Sequence, residues 1–326
     1  MRIIRTATLT AALILQFSLI TSASTFTDVE ESSSYYIAVE SLAKLGVVQG
    51  YEDGSFKPDA SVNRAEAIKM VLASGGIAVN GGLYATGFSD VPIDSWYAGY
   101  VMSGLTKGII SGNPDGTFAA ARQVNKAEFI KMTLKTFEIN LSNHTNLQTD
   151  LAADTPANEW YSSYISYAKT VGLIFPDLQN NLYPAQFLNR GQCAQIIYKM
   201  YLLKQGGEAQ KMLSIAEAKL VEALVRIHND EITSAMYLAD EALNFSQQAL
   251  TADPDSTATQ ATEVVAKSFQ KLFAAYKAGL NQDSASVTTL VQEAKNLATQ
   301  ATKINSSADY FSQKIHQQGD QLLSQL

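Results

Sequence analysis

Hydrophobic residues recur at helical spacing along most of the chain, and the lengths of these stretches divide it into two parts. In the first part, up to about residue 202, short amphipathic stretches alternate with polar turns rich in Asp, Asn and Gly. Beyond residue 206 the apolar stripes are longer, and the alternation typical of strands is missing. The pattern predicts a mainly α protein whose second part is entirely helical.

One pattern occurs three times in the first part. Segments that begin near Phe26, Phe88 and Ala152 align without gaps over about fifty residues each. The offset is 62 between the first two segments (28 to 90) and 64 between the next two (90 to 154), and it is the same for every landmark. The residues in register are Asp28, Asp90 and Asp154; Ser34, Trp96 and Trp160; Gly46, Gly108 and Gly172; Arg64, Lys126 and Arg190.

The repeats are predicted at residues 24–86, 87–149 and 150–205, and are called the first, second and third segments below. Each contains two predicted helices joined by a tight turn. In the first segment, Asn63 and Glu66 have the spacing of a capping box that begins the second helix. One such unit is too small to bury its own apolar face, so the three are expected to pack together.

The first helix of the first segment is predicted to carry four apolar side chains and to end at a glycine. The apolar residues are Ile37, Val39, Leu42 and Leu45, and Gly46 follows them as a C-terminal cap. The Asp-Gly pair at 53–54 then indicates a turn with positive φ, and the absence of alternate acidic ligands argues against a calcium loop.

Three motifs of the first two segments are similar to those of a known family. The first segment has the start Phe26–Val29 (FTDV), the turn Gly50–Pro58 (GYEDGSFKP) and the helix start Asn63–Glu66 (NRAE). The second has the turn Gly112–Phe118 (GNPDGTF) and the helix start Asn125–Glu128 (NKAE). From residue 25 to about 202 the chain resembles the S-layer homology family. The third segment departs most, because it lacks the Asp-Gly turn and carries Gln where the others carry the Glu of the helix start.

The resemblance implies a fold and a ligand. The fold is a pseudo-threefold domain in which the repeat helices form a central bundle and ligand grooves lie between the lobes. The ligand is a secondary cell-wall polysaccharide, which for this family often carries acidic pyruvyl groups.

Seven side chains form the candidate glycan-binding set: Arg64, Lys126, Arg190, Trp96, Trp160, Glu66 and Glu128. The basic residues stand at helix N-termini, where backbone N–H groups and the helix dipole favour an anion. An indole ring can form a wall against the apolar face of a sugar. These residue types therefore suit an acidic glycan.

Each residue type also has a structural interpretation. The basic residues would instead pair with Asp28, Asp90 and Asp154 and hold the repeats together. The tryptophans would be core anchors near helix starts, and the three Asp residues are interpreted as turn or N-cap residues rather than catalysts. The resemblance favours ligand binding by the basic residues. Because substitutions make the segments unequal, one or two working grooves are expected rather than three.

The region 206–326 is predicted to form four helices. An apolar stripe from Leu213 to Ile227 breaks and restarts at Ile232, and a loop at 251–257 precedes the third helix. The last helix, from Ser284 to Ser324, alternates spacings of three and four, which is the 3.5-residue period of a supercoiled seam. We interpret this seam as the contact of an antiparallel four-helix bundle. The alternative is self-association or capture of a partner helix.

The first 23 residues predict export. Arg2 and Arg5 precede an apolar run from Ala7 to Ile20, and small residues follow at 21–23, which is the pattern of a cleaved signal peptide. The run is short for an uncleaved membrane anchor. We therefore expect a secreted protein of the bacterial cell wall or cell surface, with no membrane span after cleavage.

Composition and single motifs narrow the chemistry. The chain is 46% apolar and 17% charged, so it can build cores, and its net charge of −7 argues against nucleic acid as a partner. Cys193 is the only cysteine, which excludes an internal disulfide and predicts a small buried residue. The sequence contains no recognisable metal-ligand, nucleophile or phosphate-binding motif, so no enzyme activity, cofactor or metal site is expected.

Two classes of function fit these observations. In the first, the repeats anchor the protein non-covalently to wall polysaccharide, and the helical region displays or assembles something. In the second, the protein is a structural or assembly component whose repeats pack on other envelope proteins. A wall-associated glycan hydrolase is less favoured, although two carboxylates that are distant in sequence can form a catalytic pair in space.

Overall fold

The computed structural model describes residues 24–31, 33–80 and 82–326. Within this part of the chain, regular structure consists of eleven α-helices and two short 3₁₀ helices, and β pairing is limited to four isolated bridges. The prediction of a mainly α fold is confirmed. None of the described helices is both long and apolar enough to cross a membrane. The predicted signal peptide lies outside the described residues.

Each segment contributes two α-helices, and the region after residue 206 contributes five. The helices of the segments are α1 (Tyr36–Lys44), α2 (Arg64–Ser74), α3 (Ala98–Thr106), α4 (Lys126–Thr136), α5 (Ser162–Thr170) and α6 (Arg190–Gln205). The later ones are α7 (Gly207–His228), α8 (Ile232–Ala252), α9 (Thr257–Leu280), α10 (Ser284–Ile304) and α11 (Asp309–Leu323). The 3₁₀ helices are Ser142–His144 and Ser306–Ala308.

The second helix of each segment begins with a complete capping box. Asn63 and Glu66 form it at α2, as predicted, and the second segment repeats it at α4. At α6 the pair is Asn189 and Gln192. The cap survives the change from Glu to Gln because the amide oxygen of Gln192 accepts the backbone N–H of Asn189 at 3.0 Å.

A closed cycle of backbone hydrogen bonds joins the three segments just before these caps. Val62 N–H donates to the Leu188 carbonyl at 3.2 Å, Leu188 N–H donates to Val124 at 3.2 Å, and Val124 N–H donates to Val62 at 2.9 Å. Each segment thus donates to one neighbour and accepts from the other. The cycle gives the first part of the chain a pseudo-threefold arrangement in which α2, α4 and α6 contact one another.

The apolar faces of the three segments merge into one core. The core extends in sequence from Phe26 to Met200, and its largest fully buried side chains include Phe56 and Phe118, which occupy the same register. A single segment therefore has no separate core of its own, as the small size of the repeat predicts. The thiol of Cys193 is fully buried here, as expected.

Two of the four apolar residues that the sequence assigns to the first helix are exposed. Ile37 is 66% exposed and Leu45 is 47% exposed, whereas Val39 and Leu42 are fully buried. The inward face of α1 is centred between Val39 and Leu42. At 3.6 residues per turn Ile37 falls on the other side of the helix.

The helix-ending glycines adopt the left-handed conformation that the sequence predicts. Gly46, Gly108 and Gly172 follow α1, α3 and α5 with φ of 71°, 65° and 73°. This conformation strains residues with a Cβ atom, so glycine suits the position.

The last five helices form a serial antiparallel array rather than a four-helix bundle. Each packs on its neighbours in sequence; α7 also contacts α9, and α9 contacts α11. Among the described helices, α10 contacts neither α7 nor α8. The central helix of the array is therefore α9, which contacts α7, α8, α10 and α11. The expected bundle required all three preceding helices to cover the last one, and only α9 does so.

The predicted single last helix is broken into α10 and α11. Asn305 between them has extended backbone (φ −153°, ψ 130°), and its side chain accepts the N–H of Ser307 and donates to Thr257 of α9. Lys295 of α10 pairs with Asp320 of α11, so the chain reverses at the break. The 3.5-residue pattern continues across the break because both helices turn apolar residues toward α9.

The array is joined to the third segment by more than the chain itself. Gly206 separates α6 from α7, and Gly207, the first residue of α7, is left-handed with φ of 62°. Phe175 of the third segment packs against the core of the array, and Lys169 forms an ion pair with Glu222 of α7 at 3.5 Å. The three segments joined by the cycle of hydrogen bonds are called the ring below. The third segment is the part of the ring that contacts the array.

Candidate ligand grooves

One residue of each turn is held through both its amide and its carbonyl. In the first segment Phe56 N–H donates to Asp28 at 2.7 Å, and the Phe56 carbonyl accepts from Nε of Arg190 at 2.9 Å. The other oxygen of Asp28 accepts the N–H of Lys57 at 2.7 Å. Hydrogen bonds to a carboxylate or guanidinium are stronger than those between neutral groups, so this turn is firmly fixed.

The same arrangement recurs in the other two segments, with the basic residue always supplied by a different segment. Phe118 binds Asp90 at 2.7 Å and Arg64 at 2.9 Å; Leu182 binds Asp154 at 2.8 Å and Nζ of Lys126 at 2.7 Å. Arg64 thus reaches from the first segment to the second, Lys126 from the second to the third, and Arg190 from the third to the first.

The basic residues do not form ion pairs with Asp28, Asp90 or Asp154. The carboxylates of these residues accept backbone N–H groups, and the basic side chains donate to backbone carbonyls. The alternative that they pair with each other is therefore wrong. The interpretation of the three Asp residues as turn residues is confirmed.

The helix N-termini are not free to bind an anion. The first two N–H groups of α2 donate to the carbonyls of Arg122 and Ala120, and the third donates to the Asn63 side chain. The corresponding groups of α4 and α6 are used in the same way. The prediction that these amides assist anion binding is wrong, because the neighbouring segment occupies them. An anion in the grooves therefore cannot rely on these helix N-terminal amides.

A first groove lies where the three segments meet beside α2. It has a volume of about 550 Å³, and the side chains that line it include Gln49, Tyr51, Glu66, Lys69, Trp96 and Arg190. Trp96 comes from the second segment and Arg190 from the third, while the remaining four belong to the first segment.

A second groove beside α4 has the same plan. It is smaller, with a volume of about 150 Å³, and it is lined by residues that include Arg64, Ser111, Asn113, Glu128, Lys131 and Trp160. Each of these residues is in register with its counterpart in the first groove, and Arg64 takes the place of Arg190. The structure therefore brings an Arg, a Glu, a Lys and a Trp together twice.

The two tryptophans are not core anchors. Trp96 is 56% exposed and Trp160 is 53% exposed. Nζ of Lys69 lies 5.7 Å from the centre of the Trp96 ring, and Nζ of Lys131 lies 5.2 Å from that of Trp160. An exposed aromatic wall with a cation beside it suits a sugar that carries a negative charge.

The two arginines differ in whether a neighbouring carboxylate neutralises their charge. Nη1 of Arg64 lies 3.5 Å from Glu128, which also pairs with Arg122 at 2.6 Å. Arg190 has no carboxylate within 4.0 Å among the described residues, and its Nη1 has no hydrogen-bond partner there. The Arg190 guanidinium carbon lies 5.1 Å from the centre of the Tyr51 ring and 4.7 Å from that of Phe56, so what the first groove offers is the unpaired Nη1.

Burial and neighbouring cations disfavour the charged forms in the second groove. Burial lowers the pKa of Arg64, and the charge of Arg122 acts in the same sense, while Glu128 and Asp90 act in the opposite sense. Burial also lowers the pKa of Lys131, assisted by repulsion from Lys135 and Arg64. An anionic ligand would relieve this repulsion.

The equivalent place beside α6, called the third groove below, departs from the other two at four positions. Its basic residue is Lys126, Ser34 stands in the place of the indole, and Gln192 and Gln195 replace the Glu and the Lys. Nε2 of Gln195 donates to the Ser34 carbonyl at 2.9 Å, which bridges the two sides of this groove. Burial lowers the pKa of Lys126, while Asp154 and Asp177 act in the opposite sense.

Lys69 and Lys131 were not among the residues predicted from the sequence. Their signal was available, since both stand five residues after a predicted basic residue and the third segment has Gln195 there. Each also stands three residues after the Glu of its capping box, and that spacing places the Lys and the Glu on the same face of the helix, toward the groove rather than the core. The sequence grouped site residues by segment, whereas each groove draws on all three.

Comparison with known proteins locates two repeats. The model of the S-layer homology domain matches residues 25–68 and 87–130. The Surface-layer 125 kDa protein of Lysinibacillus sphaericus is 29% identical over 170 residues, which cover 52% of this chain and 14% of that protein. The Cellulosome-anchoring protein of Acetivibrio thermocellus is 29% identical over 142 residues, covering 43% of this chain and 31% of that protein.

An enzyme is also among the relatives. The Amylopullulanase of Thermoanaerobacterium thermosulfurigenes is 26% identical over 186 residues, covering 56% of this chain and 10% of that protein. The matched part thus spans less than a third of the length of each of the three relatives. The family match contains the turns, the capping boxes and the Asp residues that hold the first two turns. The chain is therefore similar to the S-layer homology domain over two stretches, residues 25–68 and 87–130.

Proposed function

We propose that the chain attaches a secreted protein to the bacterial cell wall by binding an acidic wall polysaccharide in the first and second grooves. The main support is that Arg, Glu, Lys and Trp converge in the same register in both grooves. The free Nη1 of Arg190, with Lys69 and Lys131, supplies positive charge for a carboxylate such as a pyruvyl group. Trp96 and Trp160 supply the walls for the sugar rings.

The third segment acts as a third repeat in this proposal. Its Asp154, capping box and left-handed glycine match those of the other two, and its Arg190 completes the first groove. Its own groove is bridged by Gln195 and lacks an indole, so we assign it a structural role. Two working grooves agree with the expectation of one or two.

The array of α7 to α11 is proposed to display or assemble a partner away from the wall. It is attached to the third segment, so the first two grooves remain open. Self-association through the array stays a proposal, and light scattering on the full chain with and without the array would test it.

The variety of the relatives favours attachment over catalysis. A surface-layer protein, a cellulosome-anchoring protein and an amylopullulanase share only this minor part of their lengths with the chain. A part common to proteins with such different names is more economically an attachment module than a catalytic one. The second candidate, an envelope component whose repeats pack on other proteins, predicts no affinity for isolated polysaccharide.

Co-sedimentation with protein-free cell walls tests the proposal. The Trp96→Ala/Trp160→Ala variant and the Lys69→Ala/Lys131→Ala variant are expected to lose at least tenfold in affinity. The matched controls are Tyr237→Ala and Lys107→Ala, which remove an exposed aromatic and an exposed cation elsewhere. Binding of the wild type should weaken as salt rises, because exposed charges are screened. A folded double Trp variant that binds like the wild type would reject the grooves, and a wild type that does not bind walls would reject attachment.

A further inference from the structure

A further cavity, distinct from the two grooves, lies on the other side of Trp96 from the first groove. Its volume is about 600 Å³, and the residues around it include Asn63, Asp90, Trp96, Tyr97, Ala120 and Arg122. Trp96 lines both this cavity and the first groove, so the indole is the partition between them. We call it the alanine cavity, after the run Ala119–Ala121 that forms its floor.

Small side chains, rather than a different backbone, create this cavity. The run Ala119–Ala121 stands where the other segments have Lys57–Asp59 (KPD) and Tyr183–Ala185 (YPA), so the proline ring is missing only here. Backbone conformation is the same in all three, since φ is 56° at Ala119, 58° at Lys57 and 51° at Tyr183. The Ala120 carbonyl accepts the N–H of Ala65, as the Pro58 carbonyl accepts that of Gly191. The missing ring therefore leaves space on an otherwise identical frame.

An unused amide lines the alanine cavity. At the boundary between the third and first segments, Nδ2 of Asn189 donates to the hydroxyl of Tyr35 at 3.3 Å, and the Tyr35 ring packs over Gly191. At the cavity the counterpart of Gly191 is Ala65, and its Cβ occupies space that Tyr35 uses at the other boundary. Nδ2 of Asn63 consequently has no hydrogen-bond partner among the described residues, although its Oδ1 still caps α2.

The groups around the alanine cavity fit a sugar ring. Trp96 and Tyr97 provide aromatic surface and the alanines provide an apolar floor. The Asn63 amide can donate to a ring hydroxyl, and Arg122, already paired with Glu128, stands at the edge as a further donor. A few directed polar groups in a mainly apolar concave site are typical of small-molecule sites.

We propose that the alanine cavity is a subsite for the neighbouring sugar of a polysaccharide whose acidic unit lies in the first groove, with Trp96 between the two sugars. This inference rests on the proposed function of the first groove. In this proposal the first groove and the alanine cavity together bind two consecutive sugar units, one on each side of the Trp96 indole. A single acidic unit would occupy only the side that faces the first groove.

The variant Ala120→Pro restores the ring of the other two segments and fills the subsite. Its backbone is compatible with proline, because the Ala120 N–H has no acceptor among the described residues and a left-handed residue already precedes Pro58 and Pro184. A second variant, Ala121→Asp, introduces the residue found at Asp59. The matched control is Ala185→Asp, the same change at the equivalent exposed position of the third segment.

The probes are single-unit and multi-unit fragments of a pyruvylated wall polysaccharide, with affinities measured by calorimetry. At the first groove, the wild type is expected to bind the multi-unit fragment at least tenfold more tightly than the single unit. Ala120→Pro and Ala121→Asp should keep the affinity for the single unit and lose most of this gain, while Ala185→Asp keeps both. Since the alanine cavity adjoins Trp96 of the first groove, about half of the sites should show the effect.

Three outcomes separate the subsite from the function on which it rests. No gain with fragment length in the wild type overturns the subsite and leaves attachment intact. Retention of the gain in folded Ala120→Pro and Ala121→Asp does the same. Failure of the wild type to bind either fragment overturns the proposed function, and the subsite with it.

Discussion

At the scale of single residues, each segment of the ring is fixed at one turn residue. The Asp near the start of a segment and the basic residue of another segment bind the two ends of the same turn residue, as at Phe118 with Asp90 and Arg64. The other oxygen of Asp90 accepts the N–H of the left-handed Ala119 at 2.7 Å. A left-handed non-glycine residue costs about 1–2 kcal/mol, and two hydrogen bonds to a carboxylate offset that cost.

Removal of one of these carboxylates should destabilise the whole ring. Asp90→Ala deletes two charge-assisted hydrogen bonds and leaves a strained residue without support, so we expect a loss of about 2–4 kcal/mol in the free energy of unfolding. Urea unfolding measures it. Asp94→Ala, an exposed Asp four residues away, is the control and should change stability by less than about 0.5 kcal/mol. Similar losses for the two variants would contradict this account of Asp90.

The pKa of Asp53, in the turn of the first segment, depends on the hydrogen bonds that its carboxylate accepts. The Ser55 hydroxyl and then its backbone N–H donate to Asp53, and with a smaller contribution from Lys57 they lower the pKa of Asp53 to about 2. Because the folded pKa lies below the ordinary value, the stabilisation is present above pH 4 and is lost as the pH falls toward 2.

Ser55→Ala should raise the pKa of Asp53 toward its ordinary range, since the largest contribution is removed. Carboxyl chemical shifts followed through an NMR titration between pH 1.5 and 6 would show it. Asp115, whose pKa is lowered in the same way by Thr117, is unaffected by the change and serves as the internal reference. An unchanged titration of Asp53 in Ser55→Ala would contradict the assigned cause.

Residue patterns predicted the caps and turns but not the acceptors of the helix N-termini. Asn63 and Glu66 carry their signal within four positions. The carbonyls of Arg122 and Ala120, which occupy the first amides of α2, lie more than fifty residues away and become neighbours only when the ring closes. Local sequence therefore left these amides seemingly free for an anion.

At the scale of helices, three equivalent glycines have different surroundings. A Cβ atom added at Gly46 or Gly108 meets no atom within 4 Å, whereas one at Gly172 meets the carbonyl oxygen of Ser214 in α7 at 2.8 Å. The difference arises because α7 packs on the third segment alone. The helix ends were predicted from the glycines, but the contact with α7 depends on how the array docks.

Alanine at these glycines should therefore separate backbone strain from docking. Gly46→Ala and Gly108→Ala are expected to cost about 1–2 kcal/mol from the left-handed conformation alone. Gly172→Ala should cost more, since α7 must also move away from the new methyl group. Thermal unfolding of the three variants gives the comparison. Equal losses would contradict the docking of α7 on this turn.

The apolar period of the last two helices correctly predicted one apolar face, but it wrongly predicted a single continuous helix. Residues from Val287 to Ile315 keep the spacing of one continuous seam, yet the chain reverses at Asn305. Both helices face α9, so the pattern satisfies two helices as well as one. The polar Asn-Ser-Ser at 305–307 was the available signal, because these residues favour caps over helix interiors.

At the scale of the whole molecule, closure of the ring redistributes the repeats among the grooves. The sequence predicted the mainly α fold, which is confirmed, and it ranked the segments as unequal; the glycan-binding role of the basic and aromatic residues stays a prediction. The sequence could not predict that the unequal residues Lys126, Ser34 and Gln192 meet in one groove. That convergence follows from the cycle in which each segment reaches into another. Two grooves thereby keep a complete set, and the third segment is left to carry the array.

The number of single-unit polysaccharide fragments bound per folded chain tests the central claim most directly. Calorimetry should give two sites for the wild type, one each for Trp96→Ala and Trp160→Ala, and none measurable for the double variant. Gln195→Ala, in the third groove, should leave two. Three sites in the wild type, or two in the folded double Trp variant, would contradict the account.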